Sequence, residues 1–423
     1  MPRAEILIDN ARVATMAPLA GARGALAGAD QGAIGLIEGA AVAVADGRIL
    51  AVGPRAEVRA AIDGEPGAEL NAGGRLVIPG FVDAHSHPVW AGSRAAEFEQ
   101  RIAGASYVAI MEAGGGIAST VRATRAASDA ALLADLLERL DALMAQGVTT
   151  LEAKTGYGLE TGQELRQLAL LAEADRRHPV HIVPTFLGAH AVPDEYRGRQ
   201  ADYVALVVEE MLPAVAAAWP GVFCDVFCDE GAFTLAESAR ILGRARELGL
   251  RLKAHSDEFA DLGCTALAAE LGAHSVDHLV AASPAGMDAM AAAGTVAVLL
   301  PGTTFGLGSS HFAPAAEMRA RGVPLALGTD LNPGTCPSES MPLMLAIAAR
   351  YLRLTPAEGL VAATRNAAES CGRGARAGRL EAGWPADLVL LRSPDYRDLA
   401  YRFGGNPVAG VMVGGRWTIG PAA

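Results

Sequence analysis

The stretch 76-LVIPGFVDAHSHP-88 runs apolar through an expected strand and then sets His85 and His87 two residues apart. In an extended strand, residues i and i+2 face the same side, so both rings can reach one point. Buried packing and metal ligation are both open to such a pair, and the rest of the chain has to decide between them.

Seven further short apolar segments follow: "GVTTLEAKTGYG" (147–158), "HIVPTFLGAH" (181–190), "CDVFCDEG" (224–231), "LRLKAHSDEF" (250–259), "AHSVDHL" (273–279), "TVAVLLPG" (295–302) and "VPLALGTD" (323–330). Helix-patterned stretches such as "SDAALLADLLERLDALMAQG" (128–147) and "LAESARILGRARELG" (235–249) alternate with them. Eight strand–helix repeats predict an α/β chain with a (β/α)8 TIM-type barrel. Nearly continuous apolar strands are expected where both faces are buried.

Strands are also expected at both chain ends, in "AEILIDNARVATM" (4–16), "GAAVAVADGRILAVGP" (39–54), "AELNAGGRLVIPG" (68–80), "GRLEAGWPADLVLLRS" (378–393) and "VAGVMVGGRWTIG" (408–420). "DGRI" between two apolar runs reads as a hairpin turn. These segments predict a small composite β-sandwich domain over 1–74 and 381–423, with the barrel over 75–380. The Gly-rich "APLAGARGALAGADQGAIG" (17–35) reads as a surface loop with some mobility.

With 423 residues, 51% of them apolar and 19% charged, the chain can build a packed core. A net charge of −12 argues against a nucleic-acid or anionic-membrane partner. The first residues lack the apolar core of a signal peptide, and no apolar run approaches the roughly 18–20 residues a membrane span needs. Five cysteines, odd in number and scattered, make a disulfide framework improbable, so a cytoplasmic enzyme is expected. Cys224 and Cys228 read as buried small hydrophobes.

Polar residues end nearly every strand: His85 and His87, Lys154 and Tyr157, His190, Asp229 and Glu230, His255 and Glu258, His278, Asp330. The C-terminal strand ends of a barrel form one rim, so these groups should converge on one pocket. His85, His87, His255 and Asp330 would give three nitrogens and one oxygen around an open position, a pattern of catalytic zinc or ferrous sites. Asp330 could instead cap a helix or turn in "TDLNPG". His278 could be a ligand, a free acid/base or a satisfied core histidine, and Glu258 could handle a proton or be a loop charge.

"PGFVDAHSH", "LKAH", "SVDHL" and "ALGTD" resemble the amidohydrolase superfamily. Together with "RAAEFEQRIAGASY", "AGGGIASTVRATR", "EAKTGYGLE", "PTFLGAHAVPDEY", "KAHSDEF", "LPGTTFGLG" and "TDLNPGTCPSESM", the chain resembles the imidazolonepropionase family over residues 75–350. The resemblance implies ring opening of 4-imidazolone-5-propanoate by a metal-activated water in histidine degradation. It implies one Zn or Fe ion per subunit of a homodimer, held by His85, His87, His255 and Asp330. It makes Arg94, Tyr157, His190, Glu258, Asn332, Gly334 and Thr335 substrate contacts, with Arg94 on the propionate carboxylate. Glu258, His278 and Asp330 are the implied catalytic groups. "DAHSH" and "AGSR" depart from the usual family pattern without removing any of these residues.

No lysine stands on "CDVFCDEG" to bridge a second ion, so a mononuclear site is expected, and Lys154 reads as a substrate-side or loop-ordering charge. The rival readings are a heterocycle deaminase of the same superfamily, which needs no carboxylate clamp, and a non-catalytic barrel serving as a binding or scaffold protein.

Overall fold

The computed structural model describes residues 3–17, 23–104 and 115–421. In chain order its strands begin with Ile6–Ala14 (β1), Leu36–Ala45 (β2), Arg48–Pro54 (β3), Ala68–Asn71 (β4) and Leu76–Pro79 (β5). The parallel set follows: Phe81–Asp83 (β6), Val148–Lys154 (β7), His181–Ala189 (β8), Phe223–Cys228 (β9), Arg251–Ser256 (β10), Ser275–His278 (β11), Val296–Leu299 (β12) and Leu325–Leu327 (β13). Leu388–Leu391 (β14), Val408–Val413 (β15) and Arg416–Ile419 (β16) complete the chain.

The apolar run 76–83 is two strands in two sheets, where the sequence reads as one. β5 pairs with β1 and β14 in the sheet built from the chain ends, whereas β6 pairs in parallel with β7. Pro79 supplies no N–H to continue a ladder, and a Cβ at Gly80 would overlap Thr149, so the chain crosses tightly between sheets there.

The terminal sheet runs β16-β15-β14-β5-β1-β2-β3, with β4 beside β1. Asp46 and Gly47, both at positive φ, make the β2–β3 turn expected from "DGRI". That turn meets the β15–β16 turn, Ala386 N–H donating to Gly47 O and Gly415 N–H to Ala386 O, so the path folds back on itself. Ile8, Val42, Val44, Val77, Leu388, Leu390 and Met412 fill the space enclosed.

The eight parallel strands run in sequence order, β6 to β13. Their outer faces are covered by helices such as Asp129–Ala145, capped by Ser128 and burying Leu132, Leu136, Leu140 and Leu143 at helical spacing. Inside, Val82, Val183, Phe223, Val296, Val298 and Ala326 plug the N-terminal end with Ala367, Ala368 and Cys371. Toward the C-terminal end the interior turns polar, with Glu152, Lys154, Asp225, Lys253 and Asp277 all fully buried, so the strands are less uniformly apolar than expected.

The ring closes between the extensions of its first and last strands. Asp330 N–H donates to His85 O at 2.9 Å and His87 N–H to Leu331 O at 2.8 Å, while Thr329 binds Asp83 through its N–H (2.8 Å) and hydroxyl (2.5 Å). Nearer the base, Val82 N–H bonds Ala363 O instead of β13. The outer edge of β13 is completed by the Gly-rich segment: the fully buried Gln31 side chain bonds both the N–H and the C=O of Leu325. The described part of that segment is therefore a packed brace and not a mobile surface loop; its residues 18–22 lie outside the described set. Among the described residues, no helix is long and apolar enough to cross a membrane.

Candidate active site

At the C-terminal mouth of the barrel a cavity of about 570 Å³ is lined by His87, Arg94, Arg101, Tyr157, His190, Phe227, His255, Glu258, His278, Asp330, Asn332 and Thr335, among others. His85 is fully buried behind this lining. His85 Nε2 lies 3.3 Å from His87 Nε2 and 3.4 Å from Asp330 Oδ1; His87 Nε2 lies 3.5 Å from the same oxygen and 3.4 Å from His255 Nε2. His278 shares the cluster, its ring close to those of His85 and His255.

Carboxylates stand behind two of the rings. His85 Nδ1 is 2.6 Å from Asp277 Oδ2, a hydrogen bond that places the ring proton there and turns the Nε2 lone pair toward the centre, whereas His255 Nδ1 lies 3.0 Å from Asp225 Oδ2 as a close ion-pair contact without hydrogen-bond alignment. Burial, with Lys154 next, holds His85 well below the usual histidine range; burial, with His190 next, does the same for His87. Burial and His255 keep His278 low as well. Three Nε2 atoms 3.3–3.4 Å from their neighbours, with a carboxylate oxygen beside them, form a convergent buried donor set that fits a divalent ion.

Strand-end backbone aims two of these groups. His278 (φ 78°) and Asp330 (φ 51°) adopt left-handed conformations, strained for residues other than glycine. Asp330 Oδ2 accepts the Thr303 hydroxyl and its backbone O accepts Asn332 Nδ2 at 2.7 Å. Burial raises the Asp330 carboxyl to about 6. Glu258, whose Oε2 is 3.7 Å from His278 Nδ1, is pushed well above the carboxylate range by burial and then by Asp330 and Asp229.

Asp229 arranges the loop and does not face the cavity: its carboxylate accepts the N–H groups of Glu230, Glu258, Phe259 and Ala260 at 2.7–3.0 Å. Buried Glu164 does the same for the loop carrying Tyr157, accepting from Gly156, Gly158 and Leu159 at 2.7–3.1 Å. Glu164→Ala leaves those donors unpaired and should cost about 3 kcal/mol. Denaturant unfolding would measure it; a loss within error of zero would refute this role.

Two arginines meet at the opposite wall. Arg94 donates from Nε to Glu97 at 2.8 Å and packs against Gly334, where a Cβ would overlap its guanidinium. Arg101 Nη2 donates to Gly334 O at 3.2 Å. Asn332 Oδ1 accepts the N–H groups of Gly334 and Thr335, both at 2.8 Å, shaping the loop that seats this wall. Parts of "RAAEFEQRIAGASY" and "AGGGIASTVRATR" lie outside the described residues.

Every site residue expected from the sequence is thus at or beside this cavity. Lys154, like Asp229, is a strand-end group that does not line the cavity. It is fully buried beneath the floor, bonded to Glu152 and Asp225, and reaches neither the loops nor the cavity. Sequence reading also missed Asp225 and Asp277, which buttress His255 and His85, and Arg101 and Phe227 in the wall. Asp277 had one signal: its place in "SVDHL", beside His278.

The Amidohydrolase family model matches residues 76–418, and the bacterial Imidazolonepropionase-like composite domain matches residues 40–61. The chain is 53% identical to the imidazolonepropionase of Herpetosiphon aurantiacus, covering 98% of this chain and 97% of the relative. It is 50% identical to that of Chloroflexus aggregans, covering 98% and 99%. The chain belongs to the amidohydrolase family, among the imidazolonepropionases. Solved amidohydrolase-fold neighbours include an adenosine deaminase from Xanthomonas campestris with bound Zn, at TM-score 0.72 and 21% identity over 99% of this chain and 93% of that one. A 5-methylcytosine deaminase from Klebsiella pneumoniae aligns at TM-score 0.73 and 16% identity, over 99% and 98%. At those identities the likeness speaks for the fold of this amidohydrolase alone.

Proposed function

We infer that this chain is an imidazolonepropionase: it hydrolyses the ring amide of 4-imidazolone-5-propanoate to N-formimino-L-glutamate in histidine degradation. The observation that carries the reading is one cavity with a His–Asp cluster at its floor and arginines at its wall. In the reaction the bond between the ring carbonyl carbon and its nitrogen breaks. The oxygen of water completes a new carboxylate, and a proton goes to the freed nitrogen.

A divalent ion, zinc or iron, held by His85, His87, His255 and Asp330 would bring the pKa of water toward about 7 and polarise the ring carbonyl. Asp330 takes the proton from water and returns it to the leaving nitrogen. His278 donates to the carbonyl oxygen. Glu258, favoured in its protonated form by burial, holds the ring edge. Arg94 binds the propionate carboxylate, with Asn332, Gly334 and Thr335 forming the adjoining wall and Tyr157 and His190 flanking the ring. A cytoplasmic homodimer is the state we expect for this enzyme.

The deaminase reading leaves Arg94 without a purpose, because a neutral heterocycle presents no carboxylate. Purified protein should open 4-imidazolone-5-propanoate, lose that activity to a chelator and regain it with Zn2+ or Fe2+. Metal-loaded protein that released ammonia from a heterocycle and left the imidazolone intact would support the deaminase instead.

A further inference from the structure

We propose that Lys154 is a positioning residue for the metal site: its ammonium group joins the two buried carboxylates that hold His85 and His255, and so sets the direction of both ligand rings. The proposal rests on the ligand assignment above.

Lys154 Nζ lies 2.7 Å from Asp225 Oδ2, 3.4 Å from Asp277 Oδ2 and 2.9 Å from Glu152 Oε1. The same Asp225 oxygen is 3.0 Å from His255 Nδ1, and the same Asp277 oxygen is 2.6 Å from His85 Nδ1. One ammonium on β7 thus stands a single oxygen away from histidines on opposite sides of the ring, the one after β6 and the one on β10. Lys154 and all three carboxylates are fully buried, so no bulk water can replace a lost contact.

A carboxylate behind a ligating histidine fixes its tautomer and ring plane, and loss of such a partner typically costs about 10–100-fold in metal affinity. Each aspartate is already held at its other oxygen: Asp225 Oδ1 accepts the N–H groups of Val226 at 2.7 Å and His255 at 3.1 Å, and Asp277 Oδ1 accepts the Ser275 hydroxyl at 2.6 Å. The lysine adds a partner at Oδ2 of both, the oxygens that face His255 and His85. Three acidic groups surround this one cation, and Glu152 faces no ligand. Its contact, with the Thr185 hydroxyl on the same carboxylate, anchors the lysine from the far side.

Lys253 offers an internal comparison. It is equally buried in the same interior, yet its Nζ reaches only Ala84 O at 3.4 Å and Ser275 Oγ at 3.1 Å, not the oxygens that face His85 and His255. Burial alone is therefore common to both lysines, and the bridge is particular to Lys154.

The test uses the full chain stripped of metal. Zn2+ affinity is read by competition with a chromophoric chelator, and the visible spectrum of the Co2+-loaded protein reports ligand geometry. Lys154→Met keeps the volume and loses the three donors. It should weaken Zn2+ binding by about 10–100-fold and change the Co2+ spectrum, while Lys253→Met leaves both as in the parent. Wild-type affinity and spectrum in folded Lys154→Met would overturn the proposal. A parent chain that binds no Zn2+ would overturn the ligand assignment itself, and the two failures are distinct. If circular dichroism shows Lys154→Met unfolded, Asp225→Asn, Asp277→Asn and the double variant decide. A double loss of affinity departing from the product of the single losses by more than about threefold supports the bridge, and agreement with the product overturns it.

Discussion

Asp330→Asn should lower kcat by about 10³-fold, with kcat/KM falling in parallel, because the variant loses its proton acceptor where charge moves in the transition state. The three ring nitrogens remain, so the variant should still take up an ion when Zn2+ is in excess. Glu258→Gln is the comparison. Burial favours the protonated carboxyl at Glu258, so an amide preserves its shape and a donor, and a loss of about tenfold or less is expected. The geometry separates the two: Asp330 Oδ1 lies 3.4–3.5 Å from ligand nitrogens, whereas Glu258 approaches only His278, at 3.7 Å. Single-turnover rates on metal-saturated protein would measure the split. A larger loss for Glu258→Gln would transfer the proton-handling role to Glu258.

Arg94→Met should raise KM by about 10²-fold or more, the size expected when one partner of a buried charge pair is removed, with bound metal unchanged. Its neighbourhood explains why this arginine is poised. Glu97 engages only Nε, and the missing Cβ of Gly334 leaves the guanidinium room against the loop wall. Wild-type enzyme should also discriminate strongly against the propionamide analogue of the substrate, and Arg94→Met should lose most of that discrimination. If metal content fell with the substitution, or if KM stayed at the parent value, the carboxylate contact would lie elsewhere, with Arg101 the next candidate.

The barrel was legible because seven of its strands carry their own apolar run and six of those end in a reactive residue. The remaining one was read twice, residues 76–80 counting both as the end of a terminal strand and as the start of the first barrel strand, because "LVIPGFV" is apolar throughout and only the tight passage at Pro79–Gly80 divides it between sheets. That His85, His87, His255 and Asp330 would meet was legible because i, i+2 alternation and strand-end position are both one-dimensional properties. Depth is not. Lys154 ends β7 much as His278 ends β11, yet one lies beneath the floor and the other lines the cavity. What separates them is the presence of Asp225 and Asp277 on strands that only the closed ring brings together. The Gly-rich segment was misread for a related reason: Gln31 looks like a polar loop residue until the open edge of β13 is there to receive it.

The hydrogen bonds that close the ring are made by the backbone of His85, His87 and Asp330, the residues whose side chains form the cluster. A chain with seven strands assembled and the last one undocked would have neither a complete barrel nor a complete site. The side-chain cluster is therefore complete only where the ring is closed. An ion held by His85, His87 and Asp330 would tie the first and last strands of the barrel together, so chelation should loosen the same seam that the backbone bonds close.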